Sequence, residues 1–217
     1  MQKILSLALF CAINATYAVA DTAPNTLYIT TQSGIGLVGD QSGTGNSADD
    51  FSGNWNTTLD TGYFAGFGVG YLYNDKLSGE IYWEYRSNDA QTRVSATGNE
   101  YSGNYASSTI YFNTYYHFAS FDNWRPYAGL GLGYLQEIDI DLELAGIETS
   151  YSGDGDLGLQ AIIGANYSFA DRLDLSLEAR YARFSSTELT GEGMASGTID
   201  GFDYDPMSIA IGLKYRF

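Results

Sequence analysis

The chain has 217 residues, 15 % of them aromatic, with 26 glycines, three prolines and a formal net charge of −16. Such acidity argues against nucleic acid, heparin-like polyanions and bare anionic lipid as partners, because like charges repel on approach. The single cysteine, Cys11, lies among the first twenty residues, so a chain cut after them has neither a disulfide nor a thiol for catalysis.

In chain order, Lys3 precedes an apolar run over 4–13, and Ala18-Val19-Ala20 offers a small-residue cleavage site before Asp21. This layout predicts a signal peptide over 1–20 and a single mature domain over 21–217. About ten apolar residues are too few to span a bilayer. Beyond residue 20 no apolar run approaches the roughly 18 residues of a membrane helix.

Alternation of apolar and polar residues then predicts strands near 26–38, 62–73, 77–87, 105–119, 125–143, 156–169, 172–185 and 206–217. The second sets Tyr63, Ala65, Phe67, Val69, Tyr71 and Tyr73 against Gly66, Gly68 and Gly70. The third sets Leu77, Ile81, Trp83 and Tyr85 against Glu80, Tyr82, Glu84 and Arg86. In the last, Met207, Ile209, Ile211, Leu213, Tyr215 and Phe217 oppose Ser208, Ala210, Gly212, Lys214 and Arg216. Tight turns at 74–76, 120–123 and 170–171 alternate with long polar stretches at 39–61, 88–104, 144–155 and 186–205. A soluble sandwich shares the period but has no reason to sort its connections by end. The sorting predicts an all-β chain: an eight-stranded antiparallel transmembrane β-barrel with short periplasmic turns and four long extracellular loops. An even strand count closes the sheet, so no edge is left unpaired in lipid.

Three stretches carry a resemblance: Arg125-Pro-Tyr-Ala-Gly-Leu-Gly-Leu-Gly-Tyr134, Tyr167-Ser-Phe-Ala-Asp-Arg-Leu-Asp-Leu-Ser-Leu-Glu-Ala-Arg-Tyr181 and Gly212-Leu-Lys-Tyr-Arg-Phe217. The chain resembles the small outer-membrane β-barrel family related to the OmpA transmembrane domain and the neisserial opacity proteins. The resemblance implies an outer-membrane, opacity-like or porin-like barrel with periplasmic termini, in a Gram-negative bacterium. It implies contact with outer-membrane lipid and lipopolysaccharide, and with periplasmic chaperones and the insertion machinery during assembly. Tyr215 and Phe217 would then form part of the insertion signal. No peptidoglycan-binding domain follows Phe217, so no cell-wall tether is expected. The implied role is non-enzymatic: envelope integrity, adhesion, or interaction of acidic surface loops with a host or other ligand.

The candidate sites are charges of inward parity: Glu80, Glu84, Arg86, Glu178, Arg180, Lys214 and Arg216. A barrel of this size is only wide enough to be filled by side chains, so these charges are expected to pair across a plugged lumen. Lys214 and Arg216 are expected to take Glu80, Glu84 or Glu178 as partners. The alternative is a small cation-preferring channel. The glycines at every second position share one face, where they make room for Tyr82 or Tyr115; a nucleotide loop would need a strand-turn-helix setting.

His117 is the only histidine, and barrel lipid A deacylases use a His-x-Ser pair. Here the spacing is His117-Phe-Ala-Ser120, beside a short turn, so a lipid A-modifying enzyme is the weaker alternative. No catalytic residue, cofactor or metal ligand is assigned. In 135–144 the alternation continues without a phase break, which predicts a protruding strand with Glu137, Asp139, Asp141 and Glu143 facing inward. With Asp154 and Asp156 they would form an acidic external rim, able to collect divalent cations or to meet a partner.

Overall fold

The computed structural model describes residues 25–46, 52–185, 187–193, 195–202 and 204–217; the expected signal peptide lies outside them. Thirteen strands form one antiparallel sheet that closes into a ring. They are β1 (Thr26–Leu37), β2 (Gln41–Asn46), β3 (Ser52–Leu59), β4 (Gly62–Leu72), β5 (Leu77–Val94), β6 (Glu100–His117) and β7 (Trp124–Leu144), then β8 (Ile147–Gly153), β9 (Leu157–Ala170), β10 (Leu173–Phe184), β11 (Thr187–Gly191), β12 (Thr198–Phe202) and β13 (Met207–Arg216).

The pairing traces two circuits stacked along one axis. The lower runs from β1 through β4, β5, β6, β7, β9, β10 and β13 back to β1. The upper leaves β7 through β8, β11, β12, β2 and β3 to rejoin β5 and β6. Only β5, β6 and β7 run unbroken through both. Each other lower strand is followed or preceded, within a few residues, by a strand of the upper circuit. At one such break the Asn88 side chain donates to the carbonyls of Gly36 (3.3 Å) and Asp60 (2.7 Å), tying the links on either side.

The four stretches expected as long loops are therefore largely strand. β2 and β3 lie within 39–61, the ends of β5 and β6 reach into 88–104, β8 lies within 144–155, and β11 and β12 lie within 186–205. The reason is collective. Trp55, Thr57 and Leu59, Ala90, Thr92 and Val94, Leu189 and Ile199 are isolated inward residues in polar surroundings, but closing the circuit gives them one shared interior.

The two circuits have opposite polarity. Around the lower one, large apolar side chains point outward: Leu130 is 72 % exposed and Leu159 68 %. Tyr63, Tyr85, Tyr134 and Tyr181 mark the upper limit of this band; Tyr71, Tyr73, Tyr116, Phe118, Trp124 and Phe217 mark its lower limit. From Trp124 to Tyr134 a tilted strand rises roughly 25 Å, the height of the apolar belt of an outer-membrane barrel. In the upper circuit the apolar residues turn inward. Trp55, Val94, Tyr105, Ile138, Ile140, Leu142, Tyr151, Leu189, Ile199 and Tyr204 are buried in one cluster.

On β7 the change is made by a bulge. Thr109 pairs with Leu135 and Ser108 with Glu137, leaving Gln136 without a partner. Below it Tyr127 and Leu135 face the interior; above it Ile138, Ile140 and Leu142 do. An unbroken phase through 135–144 is thus not what forms. Glu137, Asp139, Asp141 and Glu143 lie on the outer wall and not around the inside of the mouth. Keeping the phase would have put four carboxylates into an apolar interior and three large aliphatics into water.

Inward glycines make room for aromatic neighbours. A Cβ on Gly66 would overlap the Tyr82 ring, and one on Gly129 the Tyr115 ring.

Candidate functional site: a sealed lumen, an acidic outer wall and an open inner mouth

The lower lumen is filled by a charge lattice. Glu84 lies 2.8 Å from Arg86 and 3.1 Å from Arg180, and Arg180 lies 2.7 Å from Glu178. β5 supplies Glu80, Glu84 and Arg86 at every second position; β10 supplies Glu178 and Arg180 in the same way. These strands are equally far apart either way round the lower circuit, so the Glu84–Arg180 pair bridges opposite walls. Glu178 also accepts from Gln32 (2.8 Å) and Tyr127 (2.6 Å), and Glu80 from Tyr115 (3.0 Å). The guanidinium of Arg86 sits 5.0 Å from the Phe64 ring and that of Arg180 4.6 Å from Tyr82. Such a lattice makes burial of the charges tolerable only when complete, since an unpaired buried charge costs several kcal/mol.

Two expected pairings do not form. Arg216 pairs with Asp174 at 3.0 Å, because both lie near the lower ends of the paired strands β13 and β10. Lys214 stacks over Tyr28 with its ammonium 4.5 Å from the ring centre and makes no ion pair among the described residues. Sequence reasoning missed Asp174, although it shares the parity of Ser176 and Glu178; the adjoining turn at 170–171 hid it.

Above the lattice the lumen closes on aromatics. Tyr204 packs on Phe184 (5.2 Å between ring centres), Phe184 on Tyr111 (6.2 Å), and the Tyr204 hydroxyl lies 2.6 Å from that of Ser107. From there the buried hydrophobic cluster of the upper circuit continues.

On the outer wall, Glu137 and Glu143 are exposed while Asp139 and Asp141 are half-buried. Ser150 donates to Asp141 at 2.7 Å, and Ser152 donates to Glu192. Burial, reinforced by Asp141, Glu137 and Glu192, pushes the Asp139 carboxyl up to about 6. Asp154 and Asp156 lie in the link between β8 and β9, where the Asp156 carbonyl accepts from the amide of Leu135. Glu137, Asp154, Glu188 and Glu192 line a shallow concavity beside the bulge. Among the described residues no group of three or more His, Cys, Asp or Glu side chains is placed to hold a metal ion.

At the lower mouth His117 Nε2 lies 2.9 Å from Ser78 Oγ, and its Nδ1 has no partner. Ser78 is fully buried and, among the described residues, no carboxylate holds His117 Nδ1, so this pair lacks the third group of a nucleophilic triad. Tyr215 and Phe217 meet edge to face at 5.1 Å on the outer surface, and the Phe217 amide donates to Leu27 across the closing seam.

A closed antiparallel ring, apolar outside between two aromatic girdles and ionic inside, defines a barrel built to cross an outer membrane. The model of the outer membrane protein beta-barrel domain matches residues 5–217, and the chain belongs to that family. It is an outer-membrane protein, as the resemblance implied. Among curated proteins no relative matches. Among solved structures, OprG from Pseudomonas aeruginosa aligns with a TM-score of 0.68 at 17 % identity, over 91 % of this chain and 99 % of that one. AlkL, determined in lipid bilayers, aligns at 0.57 and 16 % identity, over 94 % and 97 %. Neisserial surface protein A aligns at 0.52 and 15 % identity, over 88 % and 97 %. At these identities what is shared is the fold.

Proposed function

We propose that the protein is a non-enzymatic, closed barrel whose eight staves cross the outer membrane and hold an acidic outer barrel at the cell surface. In this reading the short turns and both chain ends face the periplasm. The upper circuit replaces separate loops with a rigid, water-facing wall for envelope or ligand contacts. The observation that carries the reading is the sealed lumen: an ion-pair lattice bridging opposite walls, capped by an apolar core.

A cation-preferring channel would need a continuous aqueous path through both layers, and the ion pairs bridging the lower lumen and the buried cluster above them speak against one. The buried His117–Ser78 pair gives a lipid A-modifying activity little support. Single-channel recording in planar bilayers tests the proposal, with no resolved conductance expected. Cation-selective steps would sink it. Binding of ligands or host cells should be lost when the hairpins at 41–59 and 187–202 are trimmed while the lower circuit is kept.

A further inference from the structure

The upper girdle tyrosines differ in what stands over them. The next exposed charges above Tyr63, Tyr85 and Tyr134 are Asp60, Asp89 and Glu137; above Tyr181 it is Arg183. We propose that Arg183 and the apolar shelf around it dock one lipopolysaccharide molecule, the guanidinium holding a lipid A phosphate while the shelf bears acyl chains. The inference rests on the orientation proposed above, with the upper circuit at the cell surface.

Height is the first reason. Outward side chains on β10 run Leu175, Leu177, Ala179, Tyr181 and then Arg183. Two residues along a strand tilted near 40° rise roughly 5 Å. Girdle tyrosines sit at head-group level, so the guanidinium lies where lipid phosphates lie. Its freedom is the second. Among the described residues, Arg93 is the only other cation outside the wall above the girdle, and it pairs with Glu100 at 3.7 Å. Arg183 is exposed and has no carboxylate within 4.0 Å among those residues. Backbone bonds from Ala182 to Pro206 and from Phe184 to Tyr204 bring Asp205 alongside, but its carboxylate turns toward Gly39.

The third reason is the shelf. Arg183 pairs with Leu159 on β9, and Tyr181 with Met207 on β13. Leu157, Leu159 and Met207 are 67, 68 and 53 % exposed. A cation set among lipid-facing side chains suits a ligand that is anionic at its head and apolar below. Free phosphate could use the cation and not the shelf; an uncharged lipid could use the shelf and not the cation. In the cell-surface leaflet the lipid of that chemistry is lipopolysaccharide. Arginine meets phosphate through two parallel N–H donors, so the contact carries direction as well as charge.

The test is native mass spectrometry of the refolded barrel from micelles doped with bisphosphorylated lipid A. EDTA is present throughout, so that no divalent ion bridges phosphate to the acidic wall. One lipid A should be retained, and Arg183→Gln should weaken it about tenfold, as loss of a charge-assisted bond does. Arg183→Lys should recover part of that loss, since the charge is kept and the two-pronged geometry is not. Arg93→Gln should leave retention unchanged. Each variant is first shown to shift on a gel after boiling, so that an unclosed barrel is not read as lost binding. Phosphatidylglycerol or dephosphorylated lipid A held as tightly, or undiminished retention in Arg183→Gln, would overturn the inference alone. Orientation is checked separately by labelling Glu143→Cys on whole cells with a membrane-impermeant maleimide. No labelling would sink the orientation and this inference with it.

Discussion

The lower and upper circuits are built by the same chain, with the same antiparallel pairing, and are inside-out relative to each other. Below Tyr134 the solvent outside is lipid, so Leu130, Leu132 and Leu159 face out and Glu84, Arg86 and Arg180 face in. Above it the solvent is water, so Asp139 and Asp141 face out and Ile138, Ile140 and Leu142 face in. The boundary is crossed in two ways. β7 inserts one residue, Gln136, and flips its phase. β5 keeps its phase and changes its residues, from Glu80, Glu84, Arg86 and Asn88 to Ala90, Thr92 and Val94 on the inward side. Register is thus an instrument for matching a strand to its solvent, and a bulge is needed only where the side-chain types do not change in step.

The most severe way to break the comparison is to delete Gln136. That restores one phase along β7 and turns Ile138, Ile140 and Leu142 to water, each costing about 1.5–3 kcal/mol of lost burial. The upper circuit should become protease-sensitive, while the lower one still gives different gel mobilities before and after boiling. Loss of both would show that the circuits fold as one unit.

Next in size, Arg180→Met removes the residue joining Glu84 to Glu178 across the lumen and leaves Glu178 without a cation at 4 Å or less. A loss of about 3–5 kcal/mol is expected in urea titrations from lipid vesicles. A loss below 1 kcal/mol would mean that water already screens the lattice.

A matched pair on one strand sharpens the contrast further. Ile140→Ala leaves a cavity in a packed core and should cost about 2–5 kcal/mol. Leu132→Ala, facing lipid, should cost about 1–2 kcal/mol, the transfer of the lost methyl groups alone, because acyl chains flow into the space. Equal losses would remove the distinction between the two surroundings.

The smallest effect is a pH dependence of the outer wall. Asp139 holds its proton up to about 6 when folded, against 3.8 for the free side chain. The folded state therefore binds more protons than the unfolded one between these values, so stability rises as pH falls through that window and the gain is absent above it. Asp139→Asn should flatten the difference in urea midpoint between pH 7 and pH 5. An unchanged slope would place the titration elsewhere.

The lower circuit was legible because lipid makes a strict demand on each outward position, so runs such as Met207, Ile209, Ile211 and Leu213 stand out. The upper circuit was not, because its strands are short and inward residues such as Trp55, Leu189 and Ile199 are separated by polar stretches that also suit a loop. One signal was present and passed over: Tyr134 and Leu135 are consecutive apolar residues followed by Gln136 and Glu137. That double step is what a bulge leaves in a sequence. The lumen charges were readable by parity, but not their partners. Which carboxylate meets Arg216 depends on height around a tilted ring, and it proved to be Asp174.

By itself the sequence determined that strands alternate apolar against polar, that the short connections share one end, and which residues of the lower circuit face in. Those are properties of neighbouring residues and of the solvent each face requires. Only the tertiary structure decided the two stacked circuits, the inverted upper core, the outward turn of the acidic wall and the pairing of Arg216 with Asp174 at the lower mouth. These depend on which strands become neighbours on closing. A single unpaired residue in one strand, set against the one beside it, reverses every side chain that follows.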